Sequence, residues 1–101
     1  MNSINVAGRI TAAPDLKYTE KDKKAIVRFS IAVNNGSEIA DFFNVTAFEK
    51  QAENLAKYVS KGDMIAVSGR LSTSSYEKDG VKINSVYILA NNITFCNSKE
   101  K

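Results

Sequence analysis

In the segment Asp41-Phe42-Phe43-Asn44-Val45-Thr46-Ala47-Phe48, the odd positions Phe43, Val45 and Ala47 are apolar throughout. The even positions alternate between ring and polar group: Phe42, Asn44, Thr46, Phe48. Successive side chains of an extended strand point to opposite faces, so both of these rings share a face with two polar residues. A core does not need that arrangement, whereas a platform for planar ligands does. Every nucleobase has a π-face, and stacking one on an aromatic side chain is worth about 1–3 kcal/mol. Either phenylalanine alone is better explained by packing under a helix or loop. The pair on one polar face points to a ligand.

The same reading of faces locates further candidates. In the strand beginning at Met64, the residues Ile65, Val67 and Leu71 point one way, and Met64, Ser68, Arg70, Ser72, Ser74 and Tyr76 point the other. Arg70 and Tyr76 therefore lie on a polar face. Arg28 and Arg9 occupy the polar faces of two earlier strands, so all three arginines of the chain lie on non-core faces. A planar guanidinium suits phosphate binding and stacking better than an ammonium does; the alternative is a set of solvated surface charges. Tyr18, following Lys17, either stacks on a base or closes one end of the fold. Lys78 and Lys82 flank a hairpin that would fold over a bound strand, although Glu77 and Asp79 dilute that patch. Lys21, Lys23 and Lys24 read as a solvated turn, offset by Glu20 and Asp22.

Catalytic and metal chemistry find little support. The chain has no histidine and one cysteine, Cys96, which argues against a zinc site and excludes a histidine-based triad. No glycine-rich phosphate loop ends in Lys-Ser/Thr. Asp15, Asp41, Glu49, Glu53 and Asp63 are scattered, with no spacing that pairs carboxylates on a metal. The expectation is a binding protein without cofactor or metal. A net charge of +3 permits a polyanionic partner without demanding one. A single thiol cannot form an internal disulfide, which fits a reducing cytosol. Residues 1–14 carry no signal-peptide pattern, and no apolar run approaches the roughly 18–20 residues of a membrane helix. The expected location is cytoplasmic, with no membrane partner.

The elements that must position these residues can be read from the periodicity. Residues 4–10 alternate as a strand, with Gly8 at a core-side position, and Pro14-Asp15 breaks the pattern. Thr19 to Lys24 is a charged turn. Residues 25–34 form a strand with Val27, Phe29, Ile31 and Val33 inward and Arg28 and Ser30 outward; 34–38 is a loop; 41–48 is the third strand. The period then changes: Ala52, Leu55, Ala56 and Val59 fall at i, i+3, i+4 and i+7, which predicts an amphipathic helix, with Lys57 and Lys61 near its C-terminal end and Gly62 at C′. A fourth strand runs over 64–76 and carries Gly69. Asp79-Gly80 signals a hairpin, and a fifth strand runs over 81–90 or on through Ile93 and Phe95. Strand, strand, strand, helix, strand, strand, with glycines suggesting strong coiling, is the arrangement of an all-β, five-stranded OB-fold barrel with one helix between strands three and four. The expected domain is 1–96, followed by a polar tail at 97–101. At 101 residues the core is modest, so oligomerisation would help.

The chain resembles the bacterial and phage single-stranded-DNA-binding proteins. The match is carried by Met1-Asn2, Val6-Ala7-Gly8-Arg9-Ile10-Thr11 and Pro14-Asp15-Leu16-Lys17-Tyr18; by Phe29-Ser30-Ile31-Ala32-Val33-Asn34; by Asp41-Phe42-Phe43-Asn44-Val45, Phe48, Lys50-Gln51-Ala52-Glu53, Tyr58-Val59 and Lys61-Gly62; and by Val67-Ser68-Gly69-Arg70-Leu71 and Tyr76. The resemblance implies a sequence-tolerant binder of single-stranded DNA in replication, recombination and repair. It also implies a homo-oligomer, a homotetramer or a dimer, that wraps DNA around its outside. It places stacking aromatics at Phe42, Phe48 and Tyr76, with Tyr18 a further candidate, and backbone contacts at or near Arg9, Arg28 and Arg70, with Lys50, Lys78 and Lys82 added. The chain also departs from the family. It has no Trp, the loop after the second strand is acidic at Glu38 and lacks an aromatic, and Ser72-Thr73-Ser74-Ser75 is neutral where relatives often carry Arg or Lys. It ends on Lys-Glu-Lys, where cellular members continue to an acidic tip. The expectation is no recruitment through such a tail, and a phage or mobile-element origin or a truncated chain. An RNA or primosome-type module and a protein-interaction module are the rival readings of the same fold.

Overall fold

Alternation builds the inner surface first. On β3 (Ala25–Val33) the residues Ala25, Val27, Phe29 and Ile31 are buried, and on β4 (Asp41–Phe48) Val45 and Ala47 are buried. These two strands pair antiparallel over eight positions, from Ile26↔Phe48 to Val33↔Asp41. The computed structural model describes residues 1–36 and 38–96. Its remaining elements are β1 (Ile4–Ile10), β2 (Asp15–Tyr18), α1 (Glu49–Tyr58), β5 (Met64–Lys78) and β6 (Val81–Phe95). The sheet order is β1-β5-β6-β4-β3-β2, and β1 also pairs with β3 through Arg9↔Ala32 and Ile10↔Ile31. That last pairing closes a barrel of β1, β3, β4, β6 and β5. The β4–β6 seam is parallel, through Val45↔Ile88 and Thr46↔Leu89; every other pairing is antiparallel. This is the expected five-stranded OB-fold barrel. The helix lies between the third and fourth barrel strands, which are β4 and β5 in chain order.

There is one strand more than the sequence shows. Asp15–Tyr18 pairs with β3 from Asp15↔Arg28 to Tyr18↔Ala25, so Pro14 interrupts the chain without ending its extended path. Four residues with one apolar side chain, Leu16, carry no visible period. β2 lies outside the closed circuit, as a hairpin on β3. Its turn is held by Thr19, whose carbonyl accepts from Lys23 N–H (2.9 Å) and whose Oγ1 accepts from Lys24 N–H (3.0 Å).

Two glycines mark the places where strands crowd. A Cβ on Gly8 would stand 2.6 Å from the carbonyl oxygen of Ala32, at the point where β1 passes from β5 to β3. A Cβ on Gly69 would collide with the Leu89 carbonyl oxygen. Here the β5–β6 register slips: Ser68 faces Asn92 and Gly69 faces Ala90, leaving Asn91 as an extra residue on β6. Beyond the slip the two strands continue as a long hairpin. It turns at Asp79 (φ 54°) and Gly80 (φ 78°), the paired left-handed geometry that an Asp-Gly turn supplies.

Three expectations are corrected. Leu71 does not join Ile65 and Val67 in the core; it is 44% exposed, because the hairpin projects past the barrel that covers the other two. The helix starts at Glu49 and buries Ala52 and Leu55, followed by Val59 just past its end, while Ala56 is exposed. Gly62 is not the C′ residue. Val59 caps the helix, donating to Leu55 O, and Gly62 (φ 92°) sits in the next turn and donates to Ile10 O at 2.7 Å. Buried Asp63 holds that turn by accepting from Ser60 N–H at 2.9 Å. The expected polar tail at 97–101 lies outside the described residues. Among those described, no helix is long and apolar enough to cross a membrane.

Candidate nucleic-acid interface

The outer face of β4 opens onto a groove of about 550 Å³. β3 contributes Arg28 and Ser30, β4 contributes Asn44, Thr46 and Phe48, and the β5–β6 arm contributes Ser74, Ser85 and Tyr87. Cross-strand pairing brings them together: Arg28 faces Thr46, Ser30 faces Asn44, and Ser74 faces Ser85 with their hydroxyls 3.0 Å apart. Thr46 is buried at 6% exposure, so it forms the groove floor; the neighbouring strands flank it closely, as they must at the centre of a barrel face. A second, more apolar cavity of about 350 Å³ shares Asn44 and Tyr87 with it and is otherwise lined by Phe42, Leu71, Val86 and Ile4 among others.

The two phenylalanines stand as the alternation requires. Phe42 is 64% exposed and Phe48 39%. Six residue steps along the strand separate them, about 20 Å. Neither is in the core cluster, and each lines one of the two cavities. Arg28 is exposed and makes no ion pair among the described residues; no carboxylate lines either cavity. Among the described residues the groove thus offers ring faces, hydroxyls and a single cation, Arg28, with Asp15 as its cross-strand neighbour on β2.

The other candidates fall into three groups. Tyr76 and Arg70 lie on the β5 face that Ser74 turns to the groove, both exposed, and Lys78 follows on that face. Lys50 is exposed in the first turn of α1, two residues past Phe48. Lys82 pairs with Glu77 and so falls on the other face of the arm. Arg9 is elsewhere: its Nη1 donates to Gly62 O at 3.0 Å, and it lines a separate depression with Asn34 and Glu38 that shares no residue with the groove. Tyr18, 55% exposed at the end of β2, lines none of these cavities; Leu16 is the β2 residue that packs on the core. Tyr87 was not marked by the sequence. It lies in the run Val86-Tyr87-Ile88-Leu89-Ala90, where both faces of the strand are apolar and alternation gives no direction.

A closed five-stranded barrel with one helix between its third and fourth strands defines an OB-fold module, and its outer face carries exposed rings, hydroxyls and a guanidinium. Over residues 1–96 the chain matches the model of the single-strand binding protein family, and it belongs to that family. It is similar to the single-stranded DNA-binding protein of Bacillus cereus, at 40% identity over 94% of this chain and 59% of that one. It is also similar to the single-stranded DNA-binding protein of Clostridium tetani, at 40% identity over 94% of this chain and 70% of that one. The chain therefore spans about three fifths of the length of the Bacillus relatives. Among solved structures, a Plasmodium falciparum SSB complex with ssDNA superposes with a TM-score of 0.87 over 96% of both chains at 21% identity, a likeness of fold.

Proposed function

We propose that this chain binds single-stranded DNA without sequence preference, protecting and organising it during replication, recombination and repair, and that it acts by binding alone. The observation that carries the reading is the exposure of Phe42 and Phe48 on the outer face of β4, where Phe48 lines the groove together with Arg28. Rings that stack on a base read its π-face and not its edge, so the contact tolerates any sequence. A duplex hides those faces between its own base pairs and presents chiefly its phosphates, for which this groove holds one cation. Its similarity to single-stranded DNA-binding proteins favours the same ligand. A cytoplasmic location goes with this reading. So does assembly into a homotetramer or a dimer: residues 4–8 of β1 pair with β5 alone, which leaves their other edge open to a second copy.

Titration of labelled oligo(dT), a duplex of equal length and a matched RNA tests the proposal. The expected order is oligo(dT) well ahead of duplex, by at least about tenfold, because only the single strand offers free base faces. Equal affinity for duplex, or no binding to any of the three, would overturn it. Preference for the RNA would move the assignment to an RNA module.

A further inference from the structure

Phe42 and Phe48 stand too far apart to hold adjacent stacked bases, and they line different cavities. Two residues alone line both cavities: Asn44 and Tyr87. Among the described residues Tyr87 is thus the one ring shared by the cavity of Phe48 and the cavity of Phe42. Its direction is set by its neighbours. Ile88 and Ala90 on the other face of β6 are buried in the core, and Ser85, two residues before Tyr87, turns to the groove. The ring is half-buried, and its hydroxyl has no hydrogen-bond partner among the described residues.

We propose that Tyr87 is a base-stacking residue, and that the bound strand runs along β4 from Phe48 across Tyr87 to Phe42. The proposal rests on the single-strand-binding reading and adds to it both a contact and a path. The middle base stacks on the Tyr87 ring, and the phenol hydroxyl faces the strand as a free donor.

The absence of tryptophan makes this contact directly observable. Protein emission comes from Tyr18, Tyr58, Tyr76 and Tyr87 alone. The experiment titrates oligo(dT) against wild type, Tyr87→Phe, Tyr87→Ala and Phe48→Ala, reading both affinity and the quenching of tyrosine emission. Tyr87→Ala is expected to weaken binding by about 5- to 150-fold, the span of one lost stack. Tyr87→Phe keeps the ring, so affinity stays within about fivefold, but the quench amplitude falls because the stacked emitter is gone. An undiminished quench in Tyr87→Phe overturns the assignment, even if Tyr87→Ala fails to fold. So does a Tyr87→Ala affinity within about twofold of wild type. If Phe48→Ala is weakened in the same series, the groove reading survives and only Tyr87 and the path fall. A wild type that does not bind oligo(dT) overturns both.

Discussion

Phe42 and Phe48 differ from the other phenylalanines of β3 and β4 in what holds them. Phe29 is in the core and Phe43 packs against it, whereas Phe42 and Phe48 contribute little to the interior. Their removal should therefore leave the fold nearly intact. Phe42→Ala and Phe48→Ala are expected to change the unfolding free energy by no more than about 1 kcal/mol each, as exposed sites do. Ile65→Ala, at a fully buried position, should cost about 2–5 kcal/mol. Urea denaturation of the three variants checks this, and a large loss at either phenylalanine would make it a packing residue. These two rings were legible in the sequence because β4 keeps strict alternation and both its neighbours are barrel strands, so parity maps directly onto face. Arg28 was legible for the same reason. Arg9 was not: parity put it on an outer face, but which part of a closed barrel that face meets depends on the strand beside it. There it reaches the Gly62 carbonyl instead of the groove.

At the scale of elements, the long strands, the helix and the Asp-Gly turn follow from period and turn chemistry. What escaped has physical causes. β2 is too short for a period and depends on pairing with β3. Leu71 reads as core because periodicity cannot tell where a strand leaves the barrel. The register slip at Asn91 exchanges the faces of β6, since Ile93 and Ile88 both turn inward across an odd separation. Gly69 is where this slip is accommodated, because the β6 backbone at Leu89 occupies the space of a side chain. Gly69→Ala must push two strands apart, and backbone cannot rotate out of the way as a side chain would. The expected loss is at least about 2 kcal/mol, in the class of overpacked cores. A thermal midpoint within a degree or two of wild type would show that the crossing is looser than described.

For the whole molecule, the balance between ring contacts and charge decides how the proposed single strand would be held. The chain carries a net +3, yet among the described residues one cation, Arg28, lines the groove; Arg70 and Lys78 share the β5 face of Ser74, and Lys50 follows Phe48 by two residues. Closure of the barrel sets this balance by bringing β3, β4 and the β5–β6 arm onto one face, while Arg9 and Lys82 fall outside it. Stacking should then supply most of the affinity and phosphate contacts a smaller share. The salt series of oligo(dT) affinity for wild type and Phe42→Ala/Phe48→Ala separates the two contributions, because phosphate contacts set the slope and stacked bases set the offset. With one to four phosphates neutralised, log K should fall with log salt at a slope between about −1 and −3. The double variant should keep that slope and lie about 25- to 20,000-fold lower at every salt concentration, two stacks' worth. Coincident curves would contradict the account and remove β4 as the base platform.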